Sequence, residues 1–310
     1  MATFVKPLTA SATRTTPTKI RSNSELAWRR FKKNRLAMLG LITIILLLLM
    51  VIIGPFLYTA SPIKTDPLQA YQKPFSKFFF GTDDVGRDVL ARVLFGGRIS
   101  LSVGIAAMAI SITLGTIIGA FAGFFGGALD FALMRITDLF QALPIVPLLL
   151  LVTYLFRDTV RKTFGADLGI FMIIVGVIGA LTWMTNARLV RSSFLALKER
   201  EFVEASRALG VNRLPIMFKH ILPNSIGPII VAATLNIGAA ILTESTVSFL
   251  GLGFPSDVPT WGKLAADGKD WIDIAPHVIL IPAFFIFLTA LAVNFAGDGL
   301  RDALDPRRQG

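Results

Sequence analysis

An all-α, polytopic membrane protein with six transmembrane helices is what this sequence predicts, and three observations predict it. Charge-free apolar runs recur, the first being Leu36 to Leu57, 22 residues long. A helix of that length reaches roughly 33 Å, about the thickness of a bilayer's hydrocarbon core. Of the 310 residues 54% are hydrophobic, and the mean hydropathy is +0.67. Lys and Arg, finally, are unevenly divided among the segments between the apolar runs.

Residues 1–35 read as a tail followed by a basic surface helix. Met1 to Ser24 is rich in Ser and Thr, has basic residues and lacks acids. A disordered cytoplasmic tail is favoured over an organelle transit peptide of the same composition. In "SELAWRRFKKNRLAMLG", Trp28 and Phe31 lie three apart among five cations. That spacing suits a helix lying at the membrane surface, aromatics inward and cations at the headgroups.

Residues 36–300 hold the six expected spans. The first is about Leu36 to Tyr58. The second lies within the 31 uncharged residues from Ile99 to Leu129. Gly115, Gly119 and Gly123 recur there every fourth residue, which favours close helix-to-helix packing over a substrate path. The third runs from Phe131 to Phe156 and carries Arg135 and Asp138. The fourth is Leu168 to Ala187, the fifth Ile226 to about Leu250 with Glu244 inside it, and the sixth Ile274 to Gly297. Residues 301–310 form a short tail.

Residues 1–37, 188–224 and 301–310 hold 19 Lys and Arg; residues 59–97, 157–167 and 253–273 hold 10. With six spans the first group shares one side, and the positive-inside rule puts it, with both termini, in the cytoplasm of an inner or plasma membrane. The net charge of +11 is read as this asymmetry, with no nucleic-acid partner.

Several functions lose their chemistry at this level. There is no cysteine, so disulfides, thiol catalysis and Cys-ligated zinc are excluded. Only His220 and His277 offer imidazole, which argues against a histidine metal cage. The phosphate-cradling GxxxxGK[ST] loop is missing, since Gly262-Lys263 is followed by Leu264. No catalytic set and no cofactor site stands out. The chain is expected to be no enzyme.

One charged stretch interrupts the apolar pattern, "EFVEASRALGVNRLPIMFKHILPN" from Glu201 to Asn224. Phe202, Ala205, Ser206 and Leu209 follow helical spacing and form an apolar face. Arg200–Glu204 and Glu204–Arg207 are spaced to pair on the other face. Gly210 stands where a left-handed residue would end the helix. Asn212 is placed to cap a second short helix that Pro223 would end. A solvated linker needs no apolar face, so this element is built to dock.

The stretch resembles the EAA loop of ABC importer permeases. Glu204, Ala205, Ser206, Gly210, His220, Ile221, Leu222 and Pro223 fall on its pattern without a gap. Ser206 replaces the second Ala and His220 the first Ile. The "HILPN" form is familiar from the oligopeptide, dipeptide and nickel branch. "GTDDVGRDVLARVLFGGRISL", "ESTVSFLGLGFPSDVPTWGKL" and "GDGLRDALDPR" resemble further signatures of that branch. Coverage runs from about residue 25 to the C-terminus, and the fit is to the C-type second permease subunit. The resemblance implies a cytoplasmic coupling loop, about residues 195–224, seated in a cleft of a cytosolic ATP-binding subunit. Coupling would rest on Glu204, Ala205, Arg207, Leu209, Gly210, His220, Leu222 and Pro223. It also implies a second permease subunit, two ATP-binding subunits, an extracytoplasmic substrate-binding protein and alternating access. Di- or oligopeptides are the expected substrate, with nickel or another small solute as the alternative.

Three intramembrane polar candidates remain. Arg135 and Asp138 are spaced to neutralise each other and face the bundle, with a gating or substrate role as the sharper reading. Glu244 has no evident local partner. A hydrogen bond to Ser245, Ser248 or another subunit and a contact with a substrate amine stand level. Asp83, Asp84 and Asp88, beside Gly81 and Gly86, are explained by turn and capping chemistry rather than metal binding. An ion-coupled transporter or channel is the alternative from another class. Sparse intramembrane charge and the docking loop argue against it.

Overall fold

The computed structural model describes residues 23–255 and 257–305. The calls on the N-terminal tail therefore fall largely outside the described residues, as does the last part of the C-terminal one. The described residues contain no named β-strand. In order the helices are α1 (Asn23–Lys33), α2 (Arg35–Leu57), α3 (Val89–Phe125), α4 (Gly127–Gln141), α5 (Ile145–Phe164) and α6 (Ala166–Leu197). Then follow α7 (Glu201–Ala208), α8 (Arg213–Pro215), α9 (Leu222–Phe249), α10 (Trp261–Gly268) and α11 (His277–Leu304).

Five helical stretches are long and apolar enough to cross a membrane. A sixth span arises only if α4 and α5 are joined, and these meet at a break bent by 82°. The third span expected from Phe131 to Phe156 falls on this pair and is broken within it. Ala142, Leu143 and Pro144 separate its halves, and Pro144 biases the residue before it away from the α region. Spans four and six also run further than the apolar windows, to Leu197 and Leu304. A helix continues past its hydrophobic stretch where neighbouring protein still supports it.

α2 shows why most of this surface is oily. Its protein-facing stripe is Ala37, Gly40, Leu47 and Val51. Leu39, Ile42, Leu46, Leu49 and Ile53 on the rest of the helix are exposed, as expected where the solvent is lipid. α3 and α6 form the most extensive pairing in the molecule. The glycine repeat makes it possible. A Cβ on Gly115 would lie 2.5 Å from Asn186 Cβ, and one on Gly123 would lie 2.7 Å from Phe194 Cβ. The packing role expected for these glycines is what the structure displays. One core joins Val103, Leu149, Ile174, Ile178 and Val247 of α3, α5, α6 and α9. A second joins Leu47, Val93, Ile241, Trp261 and Phe285, and draws α10 in among α2, α3, α9 and α11.

The bundle has two ends. The proximal end carries α1, the start of α9 and the end of α11. Here Phe31 is buried beside Ala37 and Ala303, so this aromatic of α1 packs on protein. Trp28 stacks on it at 5.7 Å and stays half exposed, with Lys32 over its ring. The distal end carries the segment before α3 together with α10.

Candidate docking interface

α7 and the segment after it form a bent helical element at the proximal end. Its inward face is Val203, Ile216, Met217 and Ile221, all fully or nearly fully buried against Phe124 of α3 and Val190 and Phe194 of α6. Ser206 also faces inward, its hydroxyl donating to the Phe202 carbonyl at 2.7 Å. The expected docking face therefore loses Ser206, which faces the bundle with Val203. The outward face keeps Phe202, Ala205 and Leu209 and continues through Val211, Leu214 and Phe218, all exposed. Leu209 is 83% exposed. Among the described residues none covers the outer side of this ridge, whose large apolar members remain 36–83% exposed.

The turn between the two halves is a Schellman motif. Gly210 has φ +77°, its N–H donates to the Arg207 carbonyl at 3.0 Å, and the Val211 N–H donates to the Ser206 carbonyl at 3.1 Å. Both bonds satisfy carbonyls that the end of α7 leaves without partners. The left-handed Gly210 anticipated from its position is present. Asn212 sits at the next N-cap position, but its side chain makes no capping bond there.

Two further expectations are corrected. Pro223 does not end a separate second helix, because the chain stays helical from Arg213 to Phe249. Proline has no N–H for the carbonyl four residues earlier. The helix accommodates it through a π-helical turn, Ile216–Ile221, and Leu222 donates back to the Met217 carbonyl. The Asn224 amide also donates to the His220 carbonyl at 2.6 Å. Among the described residues Glu204 forms no ion pair with Arg200 or Arg207, and it is exposed beside Ala205. Arg207 and Arg213 line a cavity of about 480 Å³ next to the ridge. His220 and Leu222 are half-buried and Pro223 is exposed. The candidate residues are thus brought into one element, anchored on one side and open on the other.

The intramembrane candidates separate. Asp138 accepts from Arg188 of α6 at 2.6 Å, and no ion pair joins it to Arg135 among the described residues. The self-neutralising pair is corrected accordingly: three residues apart on a helix made the pairing possible, but α6 supplies the nearer cation. Asp130 and Arg191 form a bidentate pair at 2.5 and 2.6 Å, which the sequence reading missed. Glu244 is fully buried. Its carboxylate accepts from Ser248 at 2.7 Å and from Thr260 at 2.9 Å. Ser248 was one of the partners foreseen. Thr260, sixteen residues away, also caps α10 by accepting from the Lys263 N–H.

At the distal end Asp88 caps α3, accepting from the Ala91 N–H at 3.0 Å and from the Tyr58 hydroxyl. Asp83 accepts from the Val85 and Arg87 N–H groups, so turn and cap chemistry accounts for both. The buried ion network around them had no signal in the sequence. Asp83 meets Arg92 at 2.5 Å and Arg87 at 2.7 Å, while Asp267 of α10 meets Arg92 at 3.3 Å and Lys263 at 2.7 Å. Burial, then the adjacent Asp83 carboxylate, pushes the Asp84 carboxyl above the usual carboxylate range. The network ties the loop before α3, through Asp83 and Arg92, to Asp267 of α10, 175 residues beyond Arg92.

A bundle of membrane-length helices with an anchored, outward-facing apolar element at one end defines a membrane protein with a docking surface. The chain belongs to the family of binding-protein-dependent transport system inner membrane components, whose pattern matches residues 115–310. Residues 22–74 match the N-terminal transmembrane domain of oligopeptide transport permease C. It is 40% identical over 281 residues to the dipeptide transport system permease protein DppC of Alkalihalophilus pseudofirmus, covering 91% of this chain and 89% of that one. It is 41% identical over 283 residues to the oligopeptide transport system permease protein OppC of Haemophilus influenzae, covering 91% and 88%. Among solved structures, an inward-facing MetNI methionine ABC transporter chain superposes with a TM-score of 0.50 at 19% identity, over 70% of this chain and 96% of that one. That likeness concerns the fold.

Proposed function

We propose that this chain is the membrane-spanning permease subunit of an ATP-driven importer that moves di- and oligopeptides inward by alternating access. The single observation that carries the reading is the apolar ridge of Phe202, Leu209, Val211, Leu214 and Phe218. It is exposed to solvent yet anchored through Val203, Ile216 and Met217 to the ends of α3 and α6. Such a ridge requires a cover, and its anchorage makes it a lever. A push on the ridge is delivered to the two helices that pair most extensively. In this reading a cytosolic ATP-binding subunit supplies both cover and push, and hydrolyses the ATP. The chain itself supplies no phosphate loop.

The full assembly has a second permease subunit, two ATP-binding subunits and an extracytoplasmic binding protein. Both termini and residues 195–224 face the cytoplasm. Peptide as substrate rests on the names of the relatives and on the branch the loop resembles.

The test is uptake by the whole complex in proteoliposomes, with the binding protein outside and ATP enclosed. Uptake of a short peptide should need hydrolysable ATP and should survive collapse of ion gradients. Uptake driven by an ion gradient without ATP would establish the secondary-transporter alternative instead. ATP-dependent uptake of nickel with no peptide uptake would replace the substrate and leave the mechanism.

A further inference from the structure

We propose that the cleft between α4 and α6 is the water-filled proximal mouth of the substrate path, with Arg135 as the cation that receives a peptide's carboxylate. The substrate half of this statement rests on the importer reading; the aqueous cleft does not.

Five ionisable side chains meet on facing stretches of α4 and α6, both parts of candidate spans. Two pairs are satisfied, Asp130 with Arg191 and Asp138 with Arg188. Arg135 is the surplus cation, exposed and without an ion-pair partner among the described residues. Charged side chains facing hydrocarbon are costly and are rarely left there. Yet Asp138 and Arg188 are both about half exposed, at 48% and 49%. Their surroundings are therefore water or protein, not lipid.

The backbone points the same way. The 82° break between α4 and α5 interrupts a candidate span. Irregular backbone at membrane depth persists only when it is covered by protein or lines a water-filled cavity. A cavity of about 260 Å³ is present, lined by Asp130, Met134, Arg135, Asp138 and Arg191 among others. Water is favoured over a partner's surface because of the charge balance. With Lys198, which also acts on Asp130, the cations outnumber the two anions, so an apolar partner would leave the Arg135 guanidinium buried and unpaired, which is expensive. In water the surplus charge costs nothing. It is also what a carboxylate needs for a bidentate contact.

The absence of native cysteine permits a direct test on the whole complex in inside-out vesicles. Met134→Cys reports on the cleft; Leu46→Cys, on the exposed apolar face of α2, reports on lipid. Two membrane-impermeant thiosulfonate reagents are compared, one carrying a sulfonate and one a quaternary ammonium. Met134→Cys should react and Leu46→Cys should not. The sulfonate should react about tenfold faster than the ammonium reagent, the order expected for one partly screened unit charge. Adding Arg135→Gln should abolish that preference, and Arg135→Lys should keep it. If Met134→Cys is as inert as Leu46→Cys, the cleft faces lipid or another subunit and the proposal fails. It fails also if Arg135→Gln leaves the preference unchanged.

The substrate half is read by uptake of trialanine against its carboxyl-terminal amide. Arg135→Gln should depress only the free acid, with rescue by Arg135→Lys. Equal loss for both peptides makes Arg135 a structural residue and overturns the assignment. If the unaltered complex takes up neither peptide, the peptide-importer reading fails, while the labelling still judges the cleft.

Discussion

At the scale of single residues, side chains here repair what particular backbones leave undone. Pro55 lies inside α2 and has no N–H for the Val51 carbonyl. Arg98 of α3 supplies the missing donor, its Nε reaching the Val51 carbonyl at 2.7 Å and its Nη2 the Ile52 carbonyl at 2.8 Å. The guanidinium stacks between Phe56 and Phe95. No local pattern signals this, because the Val51 carbonyl and its donor Arg98 lie 47 residues apart. Gly210, by contrast, was legible, since a glycine just past a periodic helix has one common use. Arg98→Ala should destabilise the purified chain by about 1–3 kcal/mol, the cost of leaving a buried carbonyl unpaired. Pro55→Ala restores the N–H and should recover part of that loss in the double variant, while doing little alone. Detergent unfolding of the four proteins measures the coupling. Additive effects would mean that Arg98 acts on α2 only through packing.

At the scale of elements, the bent docking unit shows what spacing reveals and what it conceals. Helical periodicity located α7, its turn and most of its outward face. It could not locate the anchored face, because Val203 packs in one cluster with Phe124 of α3, far away in sequence, as well as with Phe194 of α6. It misplaced the boundary at Pro223, since a π turn is one way of carrying a helix through a proline and leaves no pattern of its own. The broken third span escaped for a similar reason: hydropathy averages over a bend. The unit's stiffness makes a sharp prediction. Nothing lies within 4 Å of a Cβ added at Gly210, so crowding cannot explain any defect there. Gly210→Val is penalised by left-handed backbone alone, about 1–2 kcal/mol. It should swing Leu209 and Val211 out of line with Leu214, lower transport and lower substrate-stimulated ATP turnover. Gly210→Asn, which tolerates left-handed backbone, should retain most activity. Glu204→Ala removes no ion pair among the described residues, so its loss is expected to come from a partner contact and to be milder than that of Gly210→Val. Co-purified ATPase is measured beside activity to separate assembly from coupling. Wild-type assembly and transport in Gly210→Val would refute the coupling role.

For the whole molecule the open matter is which end faces the cytoplasm. The helices fix only the sidedness within the chain. α1, the docking unit and the end of α11 share the proximal end, as Arg30 donating to the Asp305 carbonyl illustrates. The ion network of Asp83, Arg92 and Asp267 occupies the distal end. The direction of insertion is then set by where the Lys and Arg excess is retained. Residues 1–37, 188–224 and 301–310 form the richer group, 19 against 10, and the described residues of that group lie toward the proximal side. Electrostatics and docking thus agree. In the proposed topology the basic end lies where an ATP-binding partner would dock, and the ion network around α10 lies at the opposite end. Single cysteines at Gln72 and Leu209 decide it. In intact cells an impermeant maleimide should label Gln72→Cys and spare Leu209→Cys, which should react only once the membrane is opened and the covering ATP-binding subunit is stripped off. Labelling of Leu209→Cys from outside, with Gln72→Cys protected, would invert the molecule. The docking ridge would then lie on the wrong side for any ATP-binding subunit, and the importer reading would fall with the topology.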